Sequence, residues 1–232
     1  MMDSVELKEK YDALYNAAFS EIKNEGLTLD RYLDDPKDER KGLSLILQPS
    51  GAIAENVELF LSDARRIEPE LYVQPIADLH VTVMSIISCR EGFDYRRIDL
   101  KPYIECIAQS LCESIPFGLQ FKGVSLSSEA VMICGFPQSQ QLEHIRNRLR
   151  EHFNTSNLFH TLDIRYKTEL AHMTAIRHRM PLRDCSAFLE FIQRYREFDF
   201  GTMTASGLQL VETDWYARAK NRVNLHDYRL EI

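Results

Sequence analysis

The tightest constraint on this chain is a triplet that recurs at a recurring place. His80-Val81-Thr82 and His172-Met173-Thr174 each lie in a short apolar stretch with the character of a strand. Side chains along a strand alternate faces, so His80 and Thr82 point one way while Leu79, Val81 and Val83 point the other. His172 and Thr174 stand in the same relation to Ala171, Met173 and Ala175. Each strand would bury its apolar face under helices and offer an imidazole and a hydroxyl on the opposite face. None of the other five histidines, His144, His152, His160, His178 and His226, carries the pattern.

The two triplets occupy equivalent positions in an internal repeat. The first half, about 43–122, reads as strand (43–48), amphipathic helix (52–66), strand carrying His80, helix (102–112) and strand (116–122). The second half, about 130–211, reads as strand (130–136), helix (140–153), strand carrying His172, helix (182–198) and strand (205–211). The helices rest on spacing: Leu142, Ile145, Leu149 and Phe153 recur at three to four residues, as do Ile53, Val57, Phe60, Leu61 and Ala64. Ser127 to Glu129 suit a tight hairpin, and Leu208 to Glu212 with Asn224 to Glu231 read as a final hairpin joined through 214–221. The expected organisation is a helical extension over residues 1–40 and one bilobal domain over 41–232. In the extension, Leu7, Tyr11, Leu14, Ala18 and Ile22 form one stripe of a helix that would pack outside a lobe.

Two lobes related by a pseudo-twofold axis bring equivalent strands together, so both triplets would face one groove. With these residues the chain resembles the two-histidine phosphoesterases, which include bacterial 2′-5′ RNA ligases, 2′,3′-cyclic nucleotide phosphodiesterases and RNA 3′-end processing enzymes. The resemblance covers about Leu43 to Glu212. It implies an α+β fold with two antiparallel sheets flanking a cleft, His80 and His172 as the catalytic pair, and Thr82 and Thr174 as phosphate-binding residues. Arg177 stands five residues after the second histidine, as an arginine does in many members of the 2′-5′ RNA ligase branch. It could pair with the phosphate as a substrate-binding residue; strict alternation would turn it away from His172, so it contributes only if the strand ends or twists by then. Val83-Met84-Ser85 replaces the usual apolar and aromatic continuation of the first motif.

The chemistry expected of such a pair needs no metal and no cofactor. Histidine titrates near neutrality, so one ring can accept a proton from a nucleophile while the other protonates a departing ribose oxygen. Thr82 and Thr174 would hold the non-bridging oxygens. The expected function is a metal-independent phosphodiesterase acting on 2′,3′-cyclic phosphates or 2′-5′ linkages; the alternative is a non-catalytic nucleotide- or RNA-binding module on the same fold. Two further rivals are a metallohydrolase using His80, His172 and either His160 or His178, and a cysteine nucleophile with a histidine base. No His-Glu-x-x-His spacing and no activating context for a cysteine favours either. Tyr166 would share the face of His172 on an unbroken strand, as a base-stacking or a sheet aromatic. Trp215 and Tyr216, in the terminal connection, read as packing before they read as flanks of the groove, and Arg146, Arg148 and Arg150 read as a solvated helix face.

Charge narrows the partner. Residues 1–70 hold 16 acidic and 9 basic residues, which accounts for the whole net charge of −7, and the remainder is balanced. Neither portion carries the positive field that long nucleic acid demands, so a nucleotide, a short oligonucleotide or one RNA end is the expected partner. Five cysteines without a Cys-x-x-Cys pair, no signal segment and no membrane-length apolar run point to a cytoplasmic protein, expected to be a monomer.

Overall fold

The computed structural model describes residues 4–49 and 51–231; Met1 to Asp3, Ser50 and Ile232, including the outer ends of the 1–40 and 41–232 segments, lie outside them. In chain order the elements are α1 (Ser4–Glu25), β1 (Lys41–Leu47), α2 (Gly51–Ile67), β2 (Tyr72–Val73), β3 (Val81–Arg90), α3 (Leu100–Leu111) and β4 (Phe117–Ser127). There follow β5 (Ala130–Pro137), α4 (Gln141–Thr155), β6 (Met173–Arg177), α5 (Cys185–Arg194), β7 (Asp199–Ala205), β8 (Gly207–Asp214) and β9 (Val223–Arg229).

The strands form two sheets, ordered β3-β1-β8-β9 and β2-β6-β5-β4-β7, with every neighbouring pair antiparallel. The repeat equates β1 with β5, β3 with β6 and β4 with β8, so β3-β1-β8 and β6-β5-β4 are the same arrangement twice. Each repeat sends its last strand into the other's sheet. The helices cross over as well: α2 follows β1 but packs on β6, β7 and α5, while α4 follows β5 but packs on α3 and β3. The lobes are therefore interleaved, and their buried side chains form one contiguous core.

Local sequence explains the boundaries. Asp99 and Asp184 cap α3 and α5 by accepting the amides of Lys101 and Ala187. The second cap starts α5 at Cys185 rather than at Leu182, and the helix stops at Arg194 rather than at Phe198. The residues beyond it make β7, an additional strand paired with β4; Phe198 and Phe200 continue a helical apolar spacing that masks it. The buried stripe of α1 runs Leu7, Tyr11, Tyr15, Ala18 and Ile22, with Tyr15 in the place expected of Leu14, which is exposed. Tyr11 is buried against the second sheet, where its hydroxyl bridges the amide and carbonyl of Gly135 at 3.3 and 3.4 Å.

Candidate active site

His80 and His172 each stand one residue ahead of a strand, β3 and β6. Alternation holds through both triplets. Leu79, Val81 and Val83 are buried, as are Ala171, Met173 and Ala175, while both histidines and both threonines remain partly exposed. Among the described residues neither threonine hydroxyl is engaged by another protein group, which leaves both free to donate. A β-bulge follows each threonine. In β3 the pairing steps from Ile46↔Thr82 to Leu45↔Met84, making Val83 the extra residue; in β6 it steps from Met132↔Thr174 to Val131↔Ile176, making Ala175 the extra residue.

The second bulge changes what the site contains. It puts Ile176 fully into the core and returns Arg177 to the face of His172 and Thr174, where strict alternation would not have placed it. The guanidinium acts electrostatically on both histidines. It is held from behind: Nη1 bonds Asp30 Oδ2 at 3.2 Å, and the group lies 4.9 Å over the ring of Tyr216, whose hydroxyl donates to the other oxygen of Asp30 at 2.8 Å. Asp30 comes from the segment after α1, whose backbone bonds the β4–β5 turn and the carbonyl of His178. The 1–40 extension thus furnishes part of the site. Asp30 has no sequence signal, because its importance depends wholly on a partner 147 residues away.

The two imidazoles are not equivalent. His80 Nδ1 lies 2.9 Å from the carbonyl oxygen of Asp78, which can only accept, so Nδ1 carries a proton. His172 Nδ1 is buried without a partner. Desolvation depresses both pKa values. At His80 the Asp78 carbonyl opposes that depression, while Arg222 and Arg177 reinforce it. At His172 burial, then His80, Arg146 and Arg177, bring the value down to about 4. Arg222, from the connection before β9, was not singled out in the sequence; it donates to the Ala77 carbonyl at 2.9 Å.

Other sequence candidates fall elsewhere. Tyr166 lies in an irregular connection rather than on a strand with His172 and is 67% exposed, so the alternation argument for it fails: β6 begins only at Met173. Trp215 has the guanidiniums of Arg40 and Arg165 over its ring at 4.4 and 4.3 Å. Arg146, expected on a solvated face, is 3% exposed. Burial pushes the thiol of Cys89 up to about 12 and that of Cys134 higher still, the opposite of an activated nucleophile. His178 is fully buried against Phe188, and no cluster of three ligating side chains exists among the described residues. A cavity of about 620 Å³ opens beside Asp78, walled by Leu33, Tyr72 and Arg218; neither histidine of the pair lines it.

A duplicated pair of antiparallel sheets, with a His-x-Thr motif entering the same bulged strand of each, defines a two-histidine phosphoesterase. The family model described as the AKAP7 2'5' RNA ligase-like domain matches residues 46–220, and the chain belongs to that family. Among solved structures, E. coli LigT complexed with 3'-AMP matches with a TM-score of 0.51 at 16% identity, over 84% of this chain and 100% of that one. TT0787 of Thermus thermophilus matches with a TM-score of 0.51 at 16% identity, over 82% and 97%. These similarities establish the LigT-like fold. No curated protein matches the chain. Among the described residues no helix is long and apolar enough to cross a membrane.

Proposed function

We propose that the protein is a metal-independent phosphodiesterase acting on 2′,3′-cyclic phosphates or 2′-5′ linkages of nucleotides or RNA ends. The observation that carries this reading is the convergence of two imidazoles, two free threonine hydroxyls and one guanidinium that acts on both rings. E. coli LigT, which shares the fold, has been crystallised with 3'-AMP and with ATP. A nucleotide or an RNA end is accordingly the partner we assign.

We read their roles from the inequality of the rings. An imidazolium at His80 has the Asp78 carbonyl for its second N–H, whereas His172 offers its Nδ1 none. His80 therefore tolerates the proton better and is the general acid, and His172 is the general base. In hydrolysis of a cyclic phosphate, His172 takes a proton from water as its oxygen bonds to phosphorus. The opposite P–O bond breaks, and His80 protonates the departing ribose oxygen. Thr82, Thr174 and Arg177 hold the non-bridging oxygens as their charge grows.

Turnover of 2′,3′-cyclic mononucleotides and 2′-5′ oligonucleotides in excess chelator tests the reading. We expect activity that survives chelation and falls at least about 10²-fold in His80→Ala and in His172→Ala. A p-nitrophenyl phosphodiester, whose leaving group needs no proton, should restore turnover to His80→Ala and not to His172→Ala. Full activity in both alanine variants would refute the paired mechanism, and nucleotide binding without turnover would favour a binding module. The leaving group rescuing His172→Ala instead would reverse the acid and base.

A further inference from the structure

Arg146 is a charged side chain in an apolar setting, and its bonds explain why it is there. It projects from α4 between the two motif-bearing segments and meets four backbone carbonyls. Nε donates to Val83 at 2.9 Å and Nη2 to Thr82 at 3.2 Å, on the first motif strand. Nη1 donates to Glu169 at 2.7 Å and Nη2 to Leu170 at 2.9 Å, on the approach to His172. β3 is an edge strand, and its bulge falls at Val83, so these carbonyls point where no strand can answer them. One planar guanidinium with five donors satisfies both segments at once.

We propose that Arg146 is the positioning residue of the site: a buried strut that fixes the separation of the two His-x-Thr segments and keeps a positive charge, bonded to no carboxylate, behind the phosphate position. The inference rests on the phosphoesterase reading. No carboxylate bonds that guanidinium directly: Asp163 is held by Arg150 at 2.5 Å and Glu169 by Lys10 and Lys167, and both act on Arg146 only at a distance. Desolvation lowers the guanidinium's own pKa to about 10, so it stays protonated at neutral pH. The groups acting on His172 are His80, Arg146 and Arg177. Arg146 does not touch substrate; it acts through the backbone of Thr82 and through the field at His172.

Two substitutions separate strut from charge. Arg146→Lys keeps the charge but cannot span both segments, and Arg146→Met loses both. We expect kcat to fall about 10²-fold in either variant, the loss a displacement of about 1 Å in a catalytic group produces, with KM changed less than about threefold. The His172 imidazole, followed by NMR, should titrate near its wild-type midpoint in Arg146→Lys and at higher pH in Arg146→Met. Arg150→Met is the control: Arg150 clamps the same connection through Asp163 and the Thr168 carbonyl, so its loss should lower Tm without moving His172. A kcat within about twofold of wild type in Arg146→Lys overturns the strut, whether or not Arg146→Met folds. A His172 midpoint unchanged in folded Arg146→Met overturns the charge. Should the wild type turn over no substrate, the phosphoesterase reading fails, and the imidazole titration still decides the effect of Arg146 on His172.

Discussion

A phosphate bound between the rings should retune the group that is to act as base. Without phosphate, burial together with His80, Arg146 and Arg177 holds His172 down to about 4, so it is neutral at pH 7 but a weak base. One unit of negative charge about 4 Å from the ring, at an effective dielectric of about 20, favours the imidazolium by about 4 kcal/mol. At about 1.4 kcal/mol per pH unit this moves the midpoint from about 4 to about 7, the range in which a base works best. The test is an NMR titration of His172 with and without a saturating 2′-deoxynucleoside 3′-methyl phosphate. That diester keeps one negative charge throughout the range and has no 2′ hydroxyl with which to react. By linkage the same analogue should bind more tightly as pH falls from about 7 towards 4, since binding draws a proton onto the ring. In steady-state kinetics the acid limb of kcat, which reports the complex, should then lie above that of kcat/KM, which reports the free enzyme. A His172 midpoint that moves by less than about half a pH unit on saturation would refute the placement of phosphate beside that ring.

Asp30→Asn removes the counter-charge of Arg177 while leaving its shape. With side chains only 14% and 8% exposed, the pair is buried enough that breaking it should cost about 2–3 kcal/mol in urea denaturation. KM should rise roughly tenfold as the guanidinium loses its orientation, and an unchanged KM would remove Asp30 from the site. His178 makes a prediction about stability. Neither ring nitrogen has a partner, and burial depresses its pKa to about 4, below the unfolded value of about 6.5. The unfolded chain therefore binds the proton first, so this contribution is intact above about pH 6.5 and is lost as pH falls towards 4. Between pH 7 and 4.5 the loss is about 2 kcal/mol, and His178→Leu should flatten the pH dependence of urea stability by that amount. An equally steep dependence in the variant would show that the ring is solvated.

What the sequence made legible were the features that depend on neighbours in the chain. Alternation placed His80 with Thr82 and His172 with Thr174, and the order of elements exposed the duplication. Alternation also misdirected Arg177, because a bulge changes the phase by one residue and Ala175 carries no mark of being the extra one. Tyr166 was misjudged for the complementary reason: the apolar stretch before His172 looked like a strand, although its backbone bonds to Arg146 and Arg150 instead of to a ladder. Asp30, Arg146 and Arg222 were hidden because each acts on a segment remote in sequence, and a charge on an amphipathic helix is ordinarily solvated. Gly135 belongs with them. A Cβ there would overlap the carbonyl of Ala171, so the glycine permits the close approach of the residue before His172.

The frame of the site is symmetric and its completion is not. Both motifs enter a strand that bulges after the threonine, yet the fifth residue beyond His80 is Ser85 and the fifth beyond His172 is Arg177, so one face gains a guanidinium that the other lacks. The displaced carbonyls are satisfied differently as well: the amide of Gln74 donates to Ala175 at 2.9 Å, whereas Val83 receives the side chain of Arg146. Asp78 supplies an acceptor to His80 that has no counterpart at His172. A duplicated scaffold alone would give two interchangeable imidazoles and no preference for the direction of proton transfer. The groups that separate them are single-copy, and several come from outside the repeat, such as Asp30 in the extension and Tyr216 and Arg222 in the last connection. On the proposed reading, the repeat supplies the chemistry of a phosphodiester; which side of the phosphorus is attacked, and what is carried beyond it, are then properties of the residues that were never duplicated.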